Sequence, residues 1–261
     1  SSKLRWIQAP QAAPPAGWYY PELIAHPAVV TNFREIFNDH IGAHIMAFVL
    51  AFARGLHQYL PQQLSRQWRP APLDTGVIHL PEATALIVGV GGIGAETARL
   101  AAAFGMKVLG VDSRRREAPP GVAELHQEAA LDSLLPHADF VVLTVPHTPA
   151  TEGFMNRARF KLMKRSAFFI NIGRGMTTRL DDLVAALNAG EIAGAALDVF
   201  EQEPLPADHP LWTMPSVLIT PHTAGFGPYL DDRRYDILSD NCRRFLAGQS
   251  LRNVVDKSKW F

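Results

Sequence analysis

Residues 84–94 read TALIVGVGGIG. An apolar run of strand length stops at a cluster of glycines, and IGAETARLAAAFG follows with helical spacing. Gly89, Gly91 and Gly94 stand as G-x-G-x-x-G across that strand-to-helix turn. The first glycine permits a tight turn, the second lets backbone approach a pyrophosphate, and the third lets helix and strand pack closely. The helix N-terminus, near Ile93, adds free N–H groups and a positive dipole end. Glycine-rich turns are common, so the motif needs its context. The next apolar run, MKVLGVD, ends in Asp112, 18 residues beyond Gly94. An acid about 20 residues on is the position that binds the adenosine ribose hydroxyls. The stretch therefore reads as a dinucleotide site. Asp112 favours NAD, because a carboxylate repels the extra phosphate of NADP. Arg114, Arg115 and Arg116 follow it and could neutralise that phosphate, so NADP stays open.

The same texture continues outward. TALIVGV, MKVLGVD, ADFVVLTVP, AFFINIG, GAALDVF and SVLIT are short apolar runs, separated by segments such as LDDLVAALNAG that have helical character. Strands too apolar to face water on one side, alternating with helices, mean an α/β fold with a doubly wound parallel sheet covered on both faces. Its ligand site lies beyond the C-terminal strand ends. Upstream, residues 9–27 are rich in proline and read as loop. At 39–60, apolar residues at Ile41, Ile45, Phe48, Val49, Phe52, Leu56 and Leu60 predict one helix, which Asn38 or Asp39 can cap. It is too apolar for a lone surface element and is expected to pack between domains or subunits. The proline-bearing stretch 69–83 predicts a junction, which gives segments 1–72, 73–226 and 227–261. In the last segment a helix is expected to end at Gly248, ahead of a return strand or tail. Leu238, Cys242, Phe245 and Leu246 share a face there, so Cys242 reads as packing.

Composition narrows the function classes. Lys+Arg and Asp+Glu are both 25, a formal net charge of zero. That argues against a nucleic-acid partner, which demands a basic face. The single cysteine excludes an internal disulfide and fits a reducing, cytoplasmic setting. The longest apolar run, IMAFVLAFA at 45–53, is far short of the ~20 residues of a membrane span. The chain opens on Ser1 rather than Met, with no basic-then-apolar leader.

Three later segments end strands with reactive side chains. AFFINIGRG (167–175) carries Arg174 between two glycines, ALDVFEQEPLP carries Asp198 and Glu203, and LITPHTAG carries His222. In a doubly wound sheet they converge at one edge. Each has a plainer reading. Arg174 could be a surface ion pair, Glu203 a solvated acid, and Asp198 a buried acid capping the next turn. Most of the ten histidines must be surface or structural, and His147 in VPHTPAT is the nearest rival to His222.

Taken in order, GVGGIG, the strand-end Asp112, NIGRG, LDVFEQEPLP with HPLW after it, and TPHTAG closely resemble the D-isomer-specific 2-hydroxyacid dehydrogenases, from about Leu4 to the C-terminus. The resemblance implies a Rossmann domain plus a smaller flavodoxin-like substrate domain, a homodimer built partly by the helix at 39–60, and D-stereospecific hydride transfer between a nicotinamide and a small 2-oxo or 2-hydroxy acid such as glyoxylate or hydroxypyruvate. It implies that Arg174 grips the substrate carboxylate and carbonyl, for which its fixed fork is suited. His222 is the general acid in reduction and the base in oxidation. Glu203 favours the protonated imidazole and fixes which nitrogen faces substrate; Glu201 is its local decoy. The cofactor-binding set implied is Gly89, Gly91, Gly92, Ile93, Gly94, Asp112, Ser113, Arg114, Val145, Pro146, Ile172, Gly173, Asp198 and Gly225, with Asp198 at the nicotinamide carboxamide. Glycines flanking Arg174 are expected to allow close ligand approach. No metal is implied. Members of the family also act as cofactor-sensing corepressors or oxidise formate, and the Arg174, Glu203 and His222 set argues for the hydroxyacid chemistry. Two departures stand out. The family's substrate domain begins well before the segment that matches LRWIQAP, so its first strands and helices are expected to be missing. Its carboxylate-holding loop glycine is replaced by Ala13, with Pro14 after it, and proline has no N–H to give.

Overall fold

The computed structural model describes residues 3–12, 17–72 and 76–259. Both ends of the chain enter one unit, 1–38 with 226–261. Its sheet is two short parallel strands, β1 (Trp6–Gln8) and β2 (Val29–Thr31), with helix α1 (Pro21–Ala25) between them in sequence. Pro21 opens α1 in the first turn, where a missing N–H costs nothing. The tail returns as expected: Val254 bridges Thr31 antiparallel, and the Val255 N–H binds the Val30 carbonyl at 2.8 Å. The C-terminal helix, Leu230–Leu246, buries Ile237 and Asn241. Of the apolar face expected from Leu238, Cys242, Phe245 and Leu246, Phe245 packs against Trp6 with ring centroids 5.5 Å apart, while Leu238 and Cys242 are exposed and Leu246 is 87% exposed. Asn241 can be interior because its Oδ1 accepts the Arg252 N–H at 2.7 Å, and this polar contact hides the true period from a hydrophobic count. Ala13 and Pro14 lie outside the described residues.

The second unit is 39–225. It opens with α2 (Asn38–Ala53) and α3 (Leu56–Leu64). The single helix expected over 39–60 breaks at Gly55, whose φ of +68° is left-handed. Then follow β3 (Thr84–Val88), α4 (Gly92–Ala103), β4 (Lys107–Val111), β5 (Glu124–His126), α5 (Leu131–Leu134), β6 (Phe140–Leu143), α6 (Arg157–Leu162), β7 (Phe168–Asn171), α7 (Leu180–Asn188), β8 (Gly194–Leu197) and β9 (Val217–Ile219). Seven strands form one parallel sheet in the order β5-β4-β3-β6-β7-β8-β9. Six are the predicted apolar runs. The seventh, β5, is a three-residue edge strand, ELH, too short and polar to register as a strand pattern.

Alternation on β3 sends Leu86 and Val88 into one core and Ala85 and Ile87 into the other, so the sheet is covered on both faces. Helix α2 supplies Ile45, Met46, Phe48, Val49 and Phe52 to the second core, where Phe52 stacks on Phe168 with ring centroids 4.2 Å apart. Its buried apolar face thus packs on the sheet of its own unit. The contacts also join it to the dinucleotide fold, so the chain divides at 38/39 rather than at 72/73. Strand order reverses between β3 and β6, the point where a doubly wound sheet opens its ligand crevice. Because all strands are parallel, the glycine turn and residues 144–148, 171–175, 198–203 and 220–225 emerge at that same edge.

Candidate active site

The glycine turn is built as its spacing requires. Gly89 has φ +94°, and a Cβ there would lie 3.0 Å from the Val145 nitrogen. A Cβ on Gly94 would lie 2.1 Å from the Gly89 carbonyl oxygen, so α4 can start against the turn only without a side chain. At Gly91 a Cβ would meet nothing within 4 Å, and Gly91 and Gly92 are exposed. No side chain caps α4, so its first-turn N–H groups are left for a ligand. This open backbone surface at the end of a twelve-residue helix fits a pyrophosphate. Thr144, which sequence reasoning missed, donates its hydroxyl to the Gly89 carbonyl at 2.6 Å and fixes the turn from β6.

Asp112 sits at the predicted strand end but faces the protein. Its Oδ2 accepts the Val90 N–H, and its Oδ1 accepts the Arg114 and Arg115 N–H groups, each at 2.8 Å. Burial alone would raise this carboxyl; the three N–H donors and the nearby Arg114 outweigh it and hold it below the usual carboxylate range. Arg115 joins the same brace through Nε to the Val90 carbonyl at 2.8 Å. Arg116 binds the Ser113 carbonyl at 3.2 Å. Ser113 and Arg114 are exposed.

Glycines flank Arg174 on both sides. Its glycines serve the protein's own backbone. A Cβ on Gly173 would lie 2.5 Å from the Val145 carbonyl oxygen, and one on Gly175 only 1.8 Å from the carbonyl of Phe200. Asn171, at the end of β7, knots the turn: Oδ1 accepts the Gly173 N–H at 3.0 Å, and Nδ2 donates to the Arg174 carbonyl at 3.2 Å. Arg174 itself is half-buried, with its guanidinium on the Gly173 carbonyl at 2.7 Å. Burial pushes its pKa down and the Glu203 carboxylate pushes back. An arginine keeps its proton through such a shift, so a fixed positive charge sits beside Glu203.

Glu203 is the hub. Its Oε1 accepts the Phe200 N–H at 3.0 Å and its Oε2 meets His222 Nδ1 at 2.6 Å. An ionised carboxylate makes Nδ1 the protonated nitrogen, which leaves Nε2 for another partner. The imidazole is exposed. The decoy Glu201 acts elsewhere, capping α7 as its Oε2 accepts the Leu180 N–H at 2.8 Å. The rival His147 lies 3.6 Å from Glu152 instead. Asp198 is 1% exposed, accepts the Thr220 hydroxyl at 2.6 Å and the Thr223 N–H at 2.9 Å on Oδ1, and takes the Ala224 N–H at 3.0 Å on Oδ2. Of its two readings, the turn-holding one accounts for these bonds. Ile172 is buried in the core, Val145 packs against the opposite core, Pro146 accepts the Thr151 hydroxyl through its carbonyl, and Gly225 is the last residue of the unit. Among the described residues no cluster of three metal-ligating side chains exists.

Known proteins place this arrangement. The sequence model described as "D-isomer specific 2-hydroxyacid dehydrogenase, NAD binding domain" matches residues 46–224. A glyoxylate reductase of Korarchaeum cryptofilum is 41% identical over 66% of this chain and 51% of its own length. A glyoxylate/hydroxypyruvate reductase A of Yersinia enterocolitica is 34% identical over 78% of this chain and 63% of its own. The chain therefore spans about half to two thirds of the length of these curated relatives. Among solved structures, the NADPH-dependent glyoxylate/hydroxypyruvate reductase of Sinorhizobium meliloti, in complex with NADP and sulfate, superposes with TM-score 0.88 at 30% identity, over 99% of this chain and 80% of that one.

Proposed function

The chain belongs to the D-isomer-specific 2-hydroxyacid dehydrogenase family, and from that premise we propose that it carries the catalytic half of a reductase for small 2-oxo acids such as glyoxylate or hydroxypyruvate. The observation that carries the reading is the 2.6 Å contact of His222 Nδ1 with Glu203, itself within charge reach of Arg174. Arg174 binds the substrate carboxylate and the adjacent carbonyl oxygen and stabilises the negative charge that grows on that oxygen. Glu203 holds Nδ1–H, so His222 presents Nε2 to the same oxygen and delivers its proton there. In the reverse direction Nε2 takes the proton from the hydroxyl. Gly91, Gly92, Ile93 and the first turn of α4 would hold the pyrophosphate of a reduced nicotinamide dinucleotide, which would supply the hydride.

The choice of dinucleotide follows from Asp112. An acid whose oxygens already accept three backbone N–H groups has little left with which to bind a ribose. Ser113 and Arg114 beside it suit a 2′-phosphate, so NADPH is the expected better cofactor. Relatives of solved structure named as NADP or NADPH complexes support this. A homodimer is part of the proposal. Its support is now the exposed row Leu56, Leu60 and Leu64 on α3, with Tyr59 and Trp68. A cytoplasmic site accords with the lone cysteine. Among the described residues no helix is long and apolar enough to cross a membrane.

The test is oxidation of NADPH and NADH with a panel of 2-oxo acids. Turnover lost on replacing His222, with product of D configuration, supports the assignment. Cofactor binding without turnover on any member of the panel refutes it and favours a cofactor sensor of the same fold.

A further inference from the structure

His222 has φ +55°, a left-handed conformation unusual for a residue with a side chain. Such a backbone persists only where its surroundings hold it. The hold is visible on both sides. The His222 N–H binds the Thr220 carbonyl at 3.0 Å, and Asp198 takes the N–H groups of Thr223 and Ala224. The Thr220 side chain ties the near side to the same carboxylate.

That chain of contacts does not end at Thr220. His44 Nε2 lies 3.0 Å from Thr220 Oγ1. A hydroxyl has one hydrogen, and Thr220 gives it to Asp198 at 2.6 Å. His44 must therefore be the donor, through Nε2–H. We infer that His44 is a positioning residue for the reaction: by donating to Thr220 it completes a relay, His44 to Thr220 to Asp198, that fixes the turn carrying His222. The inference rests on the proposed role of His222.

The anchor is well placed for this. His44 stands on α2, whose Phe48 meets the His44 ring edge-on at 4.7 Å. The helix is pinned to the sheet by the stacked Phe52 and Phe168. A donor on a rigid helix transmits little slack to the turn it holds. An N–H into the Thr220 oxygen also polarises its O–H, which strengthens the bond to Asp198. No motif marks His44, and it lies 178 positions before His222.

The test compares H44L, H44Q, T220V and the double variant H44L/T220V by amide hydrogen exchange at Thr223 and Ala224 and by steady-state reduction of a 2-oxo acid. Leucine removes the donor at similar volume; glutamine returns an N–H near the place of Nε2. The expected result is exchange about fivefold faster in H44L, the worth of one ordinary hydrogen bond, with near-normal exchange in H44Q. The double variant should exchange no faster than T220V alone, because both act through one hydroxyl. kcat should follow the exchange while KM for the cofactor stays put. Unchanged exchange in H44L, no rescue in H44Q, or effects that add in the double variant would overturn the relay. Should H44L fail to fold, H44A takes its place: it must exchange faster than both wild type and H44Q, and H44A/T220V no faster than T220V. If exchange responds as expected but the wild type reduces no 2-oxo acid, the relay stands and the role assigned to His222 falls.

Discussion

Gly175→Ala adds one methyl group and should nearly silence the proposed reduction of 2-oxo acids. The φ of Gly175 lies outside the left-handed region, so alanine can adopt its backbone and the constraint is purely one of space. The new Cβ would lie 1.8 Å from the carbonyl carbon and oxygen of Phe200 and 2.5 Å from the Glu201 nitrogen, where ordinary contact begins near 3.4 Å. All three atoms are backbone and cannot rotate away. Either the 171–175 turn or the 200–203 segment must shift by more than an ångström. The first carries Arg174. The second carries the Phe200 N–H that holds Glu203 Oε1 at 3.0 Å, while Oε2 holds His222. Any relief thus separates the guanidinium from the acid–imidazole pair. Misplacement by about 1 Å can cost about 100-fold, so kcat/KM for the 2-oxo acid should fall by about two orders of magnitude. Overpacking costs about 1–3 kcal/mol, which lowers Tm without unfolding the protein. NADPH affinity, set at the glycine turn, should change far less. Steady-state kinetics beside a fluorescence titration of NADPH separates the two. A variant within about twofold of wild type in kcat/KM would show that Arg174 and Glu203 do not need this spacing.

Asp112→Asn leaves one acceptor where three N–H groups converge and sets an amide N–H against another donor, a loss of about 1–3 kcal/mol at neutral pH. The folded-state pKa of Asp112 is depressed, so its stabilisation is present above the unfolded value and fades as pH falls through the folded one. Denaturant midpoints should therefore differ at pH 7 and converge in acid, below about pH 4; a gap that widens in acid would contradict the brace. Gly94→Ala places a Cβ 2.1 Å from the Gly89 oxygen and should weaken NADPH binding by at least about tenfold, measured by the same titration; unchanged affinity would detach that turn from the cofactor. Glu201→Ala should cost about 0.5–2 kcal/mol of stability as a lost helix cap with kcat preserved, whereas Glu203→Gln should lower kcat by about 100-fold; equal effects on kcat would erase the distinction between the two acids.

The legible parts were those where one residue type has one physical use. The glycine turn could be read because only glycine allows a left-handed Gly89 and a helix start 2.1 Å from a carbonyl. The parallel sheet could be read because its strands are apolar on both faces. Illegible parts have contacts that no local pattern announces. Ile237 and Asn241 bury a face that a hydrophobic count places one residue later, since Asn241 is satisfied by Arg252 from across the tail. The 39–60 periodicity passes through Gly55, whose break depends on its left-handed φ. The glycines of NIGRG announced close approach, and the backbone of Val145 and Phe200 is one object of it that no local pattern names. His44 and Thr144 act only through partners far away in sequence.

The acids of the site divide by what a strand end demands. Where a parallel strand stops, the following turn has N–H groups with no ladder partner, and each buried one must find an acceptor. Asp112 meets this need for the turns at 90 and 114–115, Asp198 for 223–224, and Glu201 for the start of α7. A strand-end carboxylate is therefore first a clamp. Reading it as a ligand contact requires an oxygen left over. Glu203 meets that requirement: one oxygen takes the Phe200 N–H and the other faces an exposed imidazole. The same accounting weakens the ribose role of Asp112 and moves the choice of dinucleotide to Ser113 and Arg114. Replacing Arg114 with glutamine should then raise the Kd for NADPH while leaving that for NADH nearly unchanged; the lost charge–phosphate contact is worth about tenfold. Equal weakening of both cofactors would return the ribose to Asp112 and reverse the expected preference.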